Sequence, residues 1–129
     1  MHHVLICGSR EWRDVRPIKS ILERLQAEHG LELLVVEGGA PGADMLAGTL
    51  CATMGIDYCV FPANWKGRYT IRNGRVSYWA GPFRNRLMLD VMQPAEVFAF
   101  HPFIQASKGT KDMVDECKLR EIPVTVVAG

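Results

Sequence analysis

The 129-residue chain has no apolar run approaching the roughly 18 residues that a membrane-crossing helix needs. Its opening, Met1-His2-His3-Val4, has neither the basic nor the long apolar region of a secretory signal, so a cytoplasmic location is expected. Its four cysteines (Cys7, Cys51, Cys59, Cys117) form no Cys-x-x-Cys pair. Scattered in this way they argue against a zinc knuckle or a secreted disulfide framework, and they predict reduced, mostly buried thiols. His2, His3, His29 and His101 show no metal-ligand spacing, and neither a metal nor a cofactor is expected. A Gly-x-x-x-x-Gly-Lys-Ser/Thr phosphate loop is missing, which argues against a Walker-type NTPase. The first glycine turn reads Gly8-Ser9-Arg10 rather than Gly-x-Gly-x-x-Gly, which argues against an ordinary dinucleotide dehydrogenase.

One more absence is local. Residues 58–89 contain no Asp or Glu at all, yet carry Lys66, Arg68, Arg72, Arg75, Arg84 and Arg86. The flanking segments are acidic, and the net charge is only +1. A neutral chain with one wholly cationic third points to an anionic partner at one place. Trp65, Tyr69, Tyr78 and Trp79 lie in the same third and add stacking surfaces. Hydrophobic residues make up 48% of the chain, too many for a disordered segment at so low a net charge.

Apolar runs alternate with helical patterns. Val4-Leu5-Ile6-Cys7 reads as a strand buried on both faces. Asp14 can cap a helix whose inward side is Ile18, Ile21, Leu22 and Leu25, and Gly30 ends it. Leu31 to Val36 is a second strand. It is followed by Gly38-Gly39-Ala40-Pro41-Gly42 and a helix with Ala43, Leu46, Leu50 and Met54 as its stripe. Ile56 to Phe61 is a weaker strand, and 62–80 has no clear period. A helix near Pro82 has Phe83, Leu87 and Val91 as its apolar face. Ala95 to Phe100, Gly109 to Glu121 and Pro123 to Val127 complete the order as strand, helix and strand. This alternation predicts one α/β domain over 1–129: an open, Rossmann-like, mostly parallel five-stranded sheet with helices on both faces.

In such sheets ligands sit beyond the carboxyl ends of the strands, where strand order reverses. Three glycine loops fall at those ends: Gly8-Ser9-Arg10, the run from Gly38 to Asp44, and Ser107-Lys108-Gly109-Thr110. Each feeds a helix start, where unpaired N–H groups and the helix dipole favour an anion. Arg84-Asn85 can add a guanidinium. Asp44 has a second role open to it as a helix cap.

These residues also resemble a known family. Val4 to Trp12, Val36 to Asp44, Phe61 to Trp65, Ala80 to Arg86 and Gly109-Thr110 together resemble the YspA/YpsA-related branch of the SLOG superfamily. That superfamily includes the cytokinin-activating LOG phosphoribohydrolases, the DNA-processing protein DprA and sensors of NAD-derived nucleotides. Small members of the branch are frequent in phage genomes, and a phage origin is an expectation that the resemblance carries. The resemblance implies a Rossmann-like fold and ligand contacts from Gly8, Ser9 and Arg10, from Gly38, Gly39, Gly42 and Asp44, from Arg84 and Asn85, and from Gly109 and Thr110. It also implies a homodimer, which Ile71, Val76, Tyr78 and Trp79 would support.

Two departures stand out. The LOG enzymes carry Pro-Gly-Gly-x-Gly-Thr-x-x-Glu, and Met113 stands here in place of that glutamate. Asp112 is one position off, turned by about 100° on a helix. The second departure is a basic, aromatic insert at about 66–79. Three functions follow: binding of a phosphorylated nucleoside or ADP-ribose-like molecule, as sensor or sequestering module; hydrolysis of a glycosidic or phosphate bond, with Glu37, Asp44 and Asp112 as candidate acid–base residues; or binding of single-stranded nucleic acid.

Overall fold

Val4, Leu5 and Ile6 are wholly buried, although they point alternately to opposite sides of their strand. Val4 and Ile6 join one apolar cluster with Ile18, Leu22, Leu25, Ala43, Ala47 and Cys51. Leu5 and Cys7 join another with Met88, Leu89, Met113, Val114 and Cys117. A strand covered on both faces explains the continuous run in the sequence. In this computed structural model residues 1–63, 69–72, 75–78 and 80–129 are described, with 69–72 and 75–78 described as backbone.

The elements follow in the order β1 (His2–Gly8), α1 (Val15–His29), β2 (Leu33–Glu37), α2 (Ala43–Met54), β3 (Asp57–Val60), β4 (Tyr69–Arg72), β5 (Arg75–Tyr78), α3 (Ala80–Met92), β6 (Glu96–Phe100), α4 (Gly109–Leu119) and β7 (Val124–Val127). The main sheet has the order β3-β2-β1-β6-β7, with every ladder parallel. Helices α1 and α2 cover one face, and α3 and α4 the other. The expected five-stranded, Rossmann-like α/β fold is therefore present. From β1 the chain steps outward to β2 and β3, then returns to the far side of β1 with β6 and β7. Strand order thus reverses between β1 and β6.

Local signals set several boundaries. Asp14 caps α1, its carboxylate accepting the Arg16 N–H at 3.1 Å. Gly30 closes the same helix at φ +54°. Two helix faces differ from the sequence reading. In α2 the innermost stripe is Ala43, Ala47 and Cys51, while Leu46, Leu50 and Met54 are only partly buried. Small side chains let this helix approach the sheet closely, and the larger ones pack along its flank. In α3 Phe83, Leu87 and Val91 are exposed, whereas Gly81, Asn85, Met88 and Leu89 are buried. That helix turns its polar Asn85 inward because the first turn of α4 offers partners there.

The stretch without a clear period contains an antiparallel pair, β4 with β5, in which Arg72 opposes Arg75. In the sequence Asn73-Gly74 separates them, the dipeptide most favoured between paired antiparallel strands. The basic, aromatic character expected of the insert at about 66–79 rests on side chains that lie outside the described residues. Among the described residues no helix is long and apolar enough to cross a membrane.

Candidate functional site

Gly8 ends β1 beside Phe100, the last residue of β6, and the chain must pass very close there. A Cβ at Gly8 would lie 2.2 Å from the Phe100 carbonyl oxygen, so only glycine fits. Ser9 then donates its N–H to that carbonyl at 2.8 Å, and its own carbonyl accepts the Ala43 N–H at 3.1 Å. Gly42 lies on the other side of this contact. With φ +82°, and with a Cβ position 2.2 Å from the Ser9 carbonyl oxygen, it too admits no side chain. These two glycines lock the first loop between β6 and the start of α2.

The lock leaves a crevice of about 320 Å³ over the carboxyl ends of β1 and β6, where strand order reverses. It brings together Gly8, Ser9, Arg10, Asp44, Arg84, Asn85, Gly109 and Thr110 of the expected ligand contacts. Gly38 and Gly39 border an adjoining recess of about 150 Å³, which shares Arg10 and Arg84 with the crevice. Gly42 lines neither, its place being in the lock.

Several of these side chains hold the site together. The Arg84 guanidinium donates through Nη1 to the carbonyls of Gly38 (2.6 Å) and Phe61 (3.2 Å), and through Nε to Asn85 Oδ1 (3.1 Å). It therefore braces the β2–α2 loop and the segment after β3 while lining both cavities. Asn85 is buried, and its Nδ2 donates to the Gly109 carbonyl (3.3 Å) and to Asp112 Oδ2 (3.1 Å). These bonds use both amide N–H groups and fix the start of α4. Asp112 also pairs with Arg86 at 3.5 Å and lies outside the residues lining the crevice.

The carboxylates separate. Asp44, buried at the second position of α2, accepts the N–H groups of Gly38 (3.1 Å) and Ala40 (3.3 Å) through one oxygen. It clamps the preceding loop rather than capping its own helix. Burial pushes its pKa from 3.8 to about 6, against the pull of those N–H groups and of Arg84 and Arg10. Glu37 is also buried, but it faces a different groove, between α2 and β3, beside Gly48 and Tyr58. Burial, with the nearby Asp44 charge, raises its pKa to about 7. Of the three expected acid–base residues only Asp44 lines the crevice. Cys7 lines it too, as a thiol whose pKa burial pushes well above the ordinary 9.0, so it is a poor nucleophile.

His101, given no ligand role in the sequence reading, lines the crevice as well. Its Nδ1 accepts the Phe103 N–H at 2.9 Å, which leaves Nε2 as the N–H donor of the neutral ring. The signal for it was its place directly after the apolar run of β6, at a strand's carboxyl end. Ser107 and Lys108 line the crevice as well, and Ser107 Oγ accepts the Thr110 N–H at 3.0 Å. Arg10, Arg84 and Lys108 thus surround the positive end of an 11-residue helix.

Fold and site together define a Rossmann-like α/β protein with a crevice at the switch point of its sheet, lined by Arg10, Arg84 and Lys108. A family model described as the YspA, cpYpsA-related SLOG family matches residues 2–67, and the chain belongs to that family. No curated protein shows a match to the chain. Among solved structures it is similar to DNA processing protein A (DprA) from Streptococcus pneumoniae, with TM-score 0.74 and 17% identity. The superposition covers 100% of this chain and 51% of that one, so the chain spans about half the length of its structural neighbour.

Proposed function

We propose that the protein binds a phosphorylated nucleoside, a mononucleotide or an ADP-ribose-like molecule, in the crevice over β1 and β6, as a sensor or sequestering module. The observation that carries this reading is the convergence of Arg10, Arg84 and Lys108 with the amino end of α4 on one crevice of about 320 Å³. That volume lies within the usual range for small-ligand sites. The helix end and Lys108 supply phosphate contacts. The carboxylate of Asp44 accepts ribose hydroxyls, as acidic residues near glycine turns do in dinucleotide-binding folds. His101 Nε2–H offers one directional donor to a base or sugar.

A hydrolytic reading is favoured by one observation: Asp44 combines a raised pKa with a place on the crevice wall. It then serves as general acid or base without Glu37 or Asp112. Homodimerisation belongs to the proposal too, with the exposed Leu87 and Val91 of α3 adding apolar surface.

The test is thermal denaturation at fixed salt with AMP, GMP, ADP-ribose, NAD and a short single-stranded oligonucleotide. A ligand at about 100 times its dissociation constant adds roughly 2.7 kcal/mol, several degrees in a domain of this size. Lys108→Ala should weaken the effective ligand roughly tenfold. A shift with the oligonucleotide alone, falling steeply with salt, would overturn the reading in favour of nucleic-acid binding.

A further inference from the structure

The edge of the sheet opposite the crevice carries a second constellation. His2 is the first residue of β1, Glu96 the first of β6, and His29 the last of α1. The register of β1 with β6, in which Val4 pairs with Glu96, sets His2 two residues ahead of Glu96's partner on the same face of the sheet. Nε2 of His2 lies 3.0 Å from Oε2 of Glu96. The rings of His2 and His29 are stacked, with centroids 3.7 Å apart and planes at 13°. One ligand atom from each of the three residues lies within 4.8 Å of the others.

From this geometry we infer a divalent transition-metal site formed by His2, His29 and Glu96. Adjacent donors of a tetrahedral site with metal–ligand bonds near 2.0–2.1 Å are about 3.3 Å apart; the His2–Glu96 pair stands near that spacing at 3.0 Å, and His29 lies within 4.8 Å of both. Binding opens the stack: the two nearly parallel imidazoles turn well away from parallel before their in-plane lone pairs meet at one point in front of the Glu96 carboxylate. The three side chains are 25%, 27% and 29% exposed, so water is partly shed before an ion arrives. Two imidazoles with one carboxylate suit Zn²⁺, Co²⁺ or Ni²⁺, and an all-oxygen ion such as Mg²⁺ much less. Three protein donors leave a position for water, or for Glu28, whose carboxylate lies 3.6 Å from His29 Nε2. His3, next in sequence, is committed elsewhere, with its Nδ1 on the Met92 carbonyl at 2.6 Å.

The donors come from three elements, so an ion there ties the end of α1 to the starts of β1 and β6. The length of β1 puts this clamp about 20 Å from the crevice, too far to touch a ligand bound there. Its effect is on stability rather than on ligand contact.

The experiment is titration of the chelator-treated protein with Zn²⁺, followed by calorimetry and melting temperature, with Co²⁺ absorption as the spectroscopic readout. One equivalent should bind and raise the melting temperature, while Mg²⁺ should do neither. Cobalt should give d–d bands without thiolate charge transfer, which separates this site from the four cysteines. His29→Ala and Glu96→Gln should each weaken Zn²⁺ binding at least tenfold, and the melting temperature and far-ultraviolet circular dichroism of each metal-free variant report whether it still folds. Unchanged affinity in both folded variants, a thiolate band, or no Zn²⁺ binding by the parent chain would overturn the assignment.

Discussion

Replacing Glu37 by Gln should stabilise the protein at alkaline pH and fail to do so in acid. Glu37 is 2% exposed. One oxygen accepts the Gly39 N–H at 2.6 Å, and the other lies against Gly48, where an added Cβ would come within 2.7 Å of it. Burial, helped by the charge on Asp44, raises its pKa from 4.5 to about 7. At roughly 1.36 kcal/mol per pH unit this corresponds to about 3 kcal/mol. Because the folded-state pKa is the higher one, the contribution is fully present below about pH 4.5 and is lost as pH rises through about 7. Glutamine keeps the acceptor for Gly39 but places an amide NH₂ against Gly48, at a cost of about 1 kcal/mol. The variant should therefore be more stable by about 2 kcal/mol near pH 8, roughly 6–10 °C in melting temperature. Near pH 4 it should be slightly less stable than the parent. Asp44 titrates in both proteins and largely cancels from the difference. Circular-dichroism melts of both proteins at a series of pH values give the comparison directly. A melting-temperature difference independent of pH would refute the reasoning, since it would mean that Glu37 is not held protonated by its surroundings.

Two further perturbations test the architecture of the crevice. Gly42→Ala puts a methyl group on the Ser9 carbonyl at a positive φ, and should cost about 3 kcal/mol in chemical denaturation; a midpoint equal to the parent's would show that the loop gives way freely. Asn85→Ala removes both donors to the start of α4 and, among the described residues, leaves the Asp112 carboxylate its more distant partner Arg86. It should cost about 2 kcal/mol and speed amide exchange in 107–112, and unchanged exchange there would remove the positioning role given to Asn85.

The amino-acid sequence by itself determined the class of fold. Continuous apolar runs such as Val4-Leu5-Ile6-Cys7 describe strands buried on two faces, and they alternate with helical patterns stopped by glycine. Both signals arise from neighbours within a few positions along the chain, so no tertiary contact is needed to read them. The edge that carries the crevice was legible for the same reason, since the glycine loops mark carboxyl ends of strands. The direction of each helix face was not. Phe83, Leu87 and Val91 are apolar at helical spacing, yet α3 buries Asn85 because α4 supplies its hydrogen-bond partners from 24 and 27 residues away. Nor could spacing show that Glu37 and Asp44, seven residues apart, face different cavities, or that Arg84 is engaged with the Gly38 and Phe61 carbonyls. His2, His29 and Glu96 meet only through the register of β1 against β6 and the docking of α1. Contacts of that kind depend on which surfaces the folded chain presses together, and only the tertiary structure decided them.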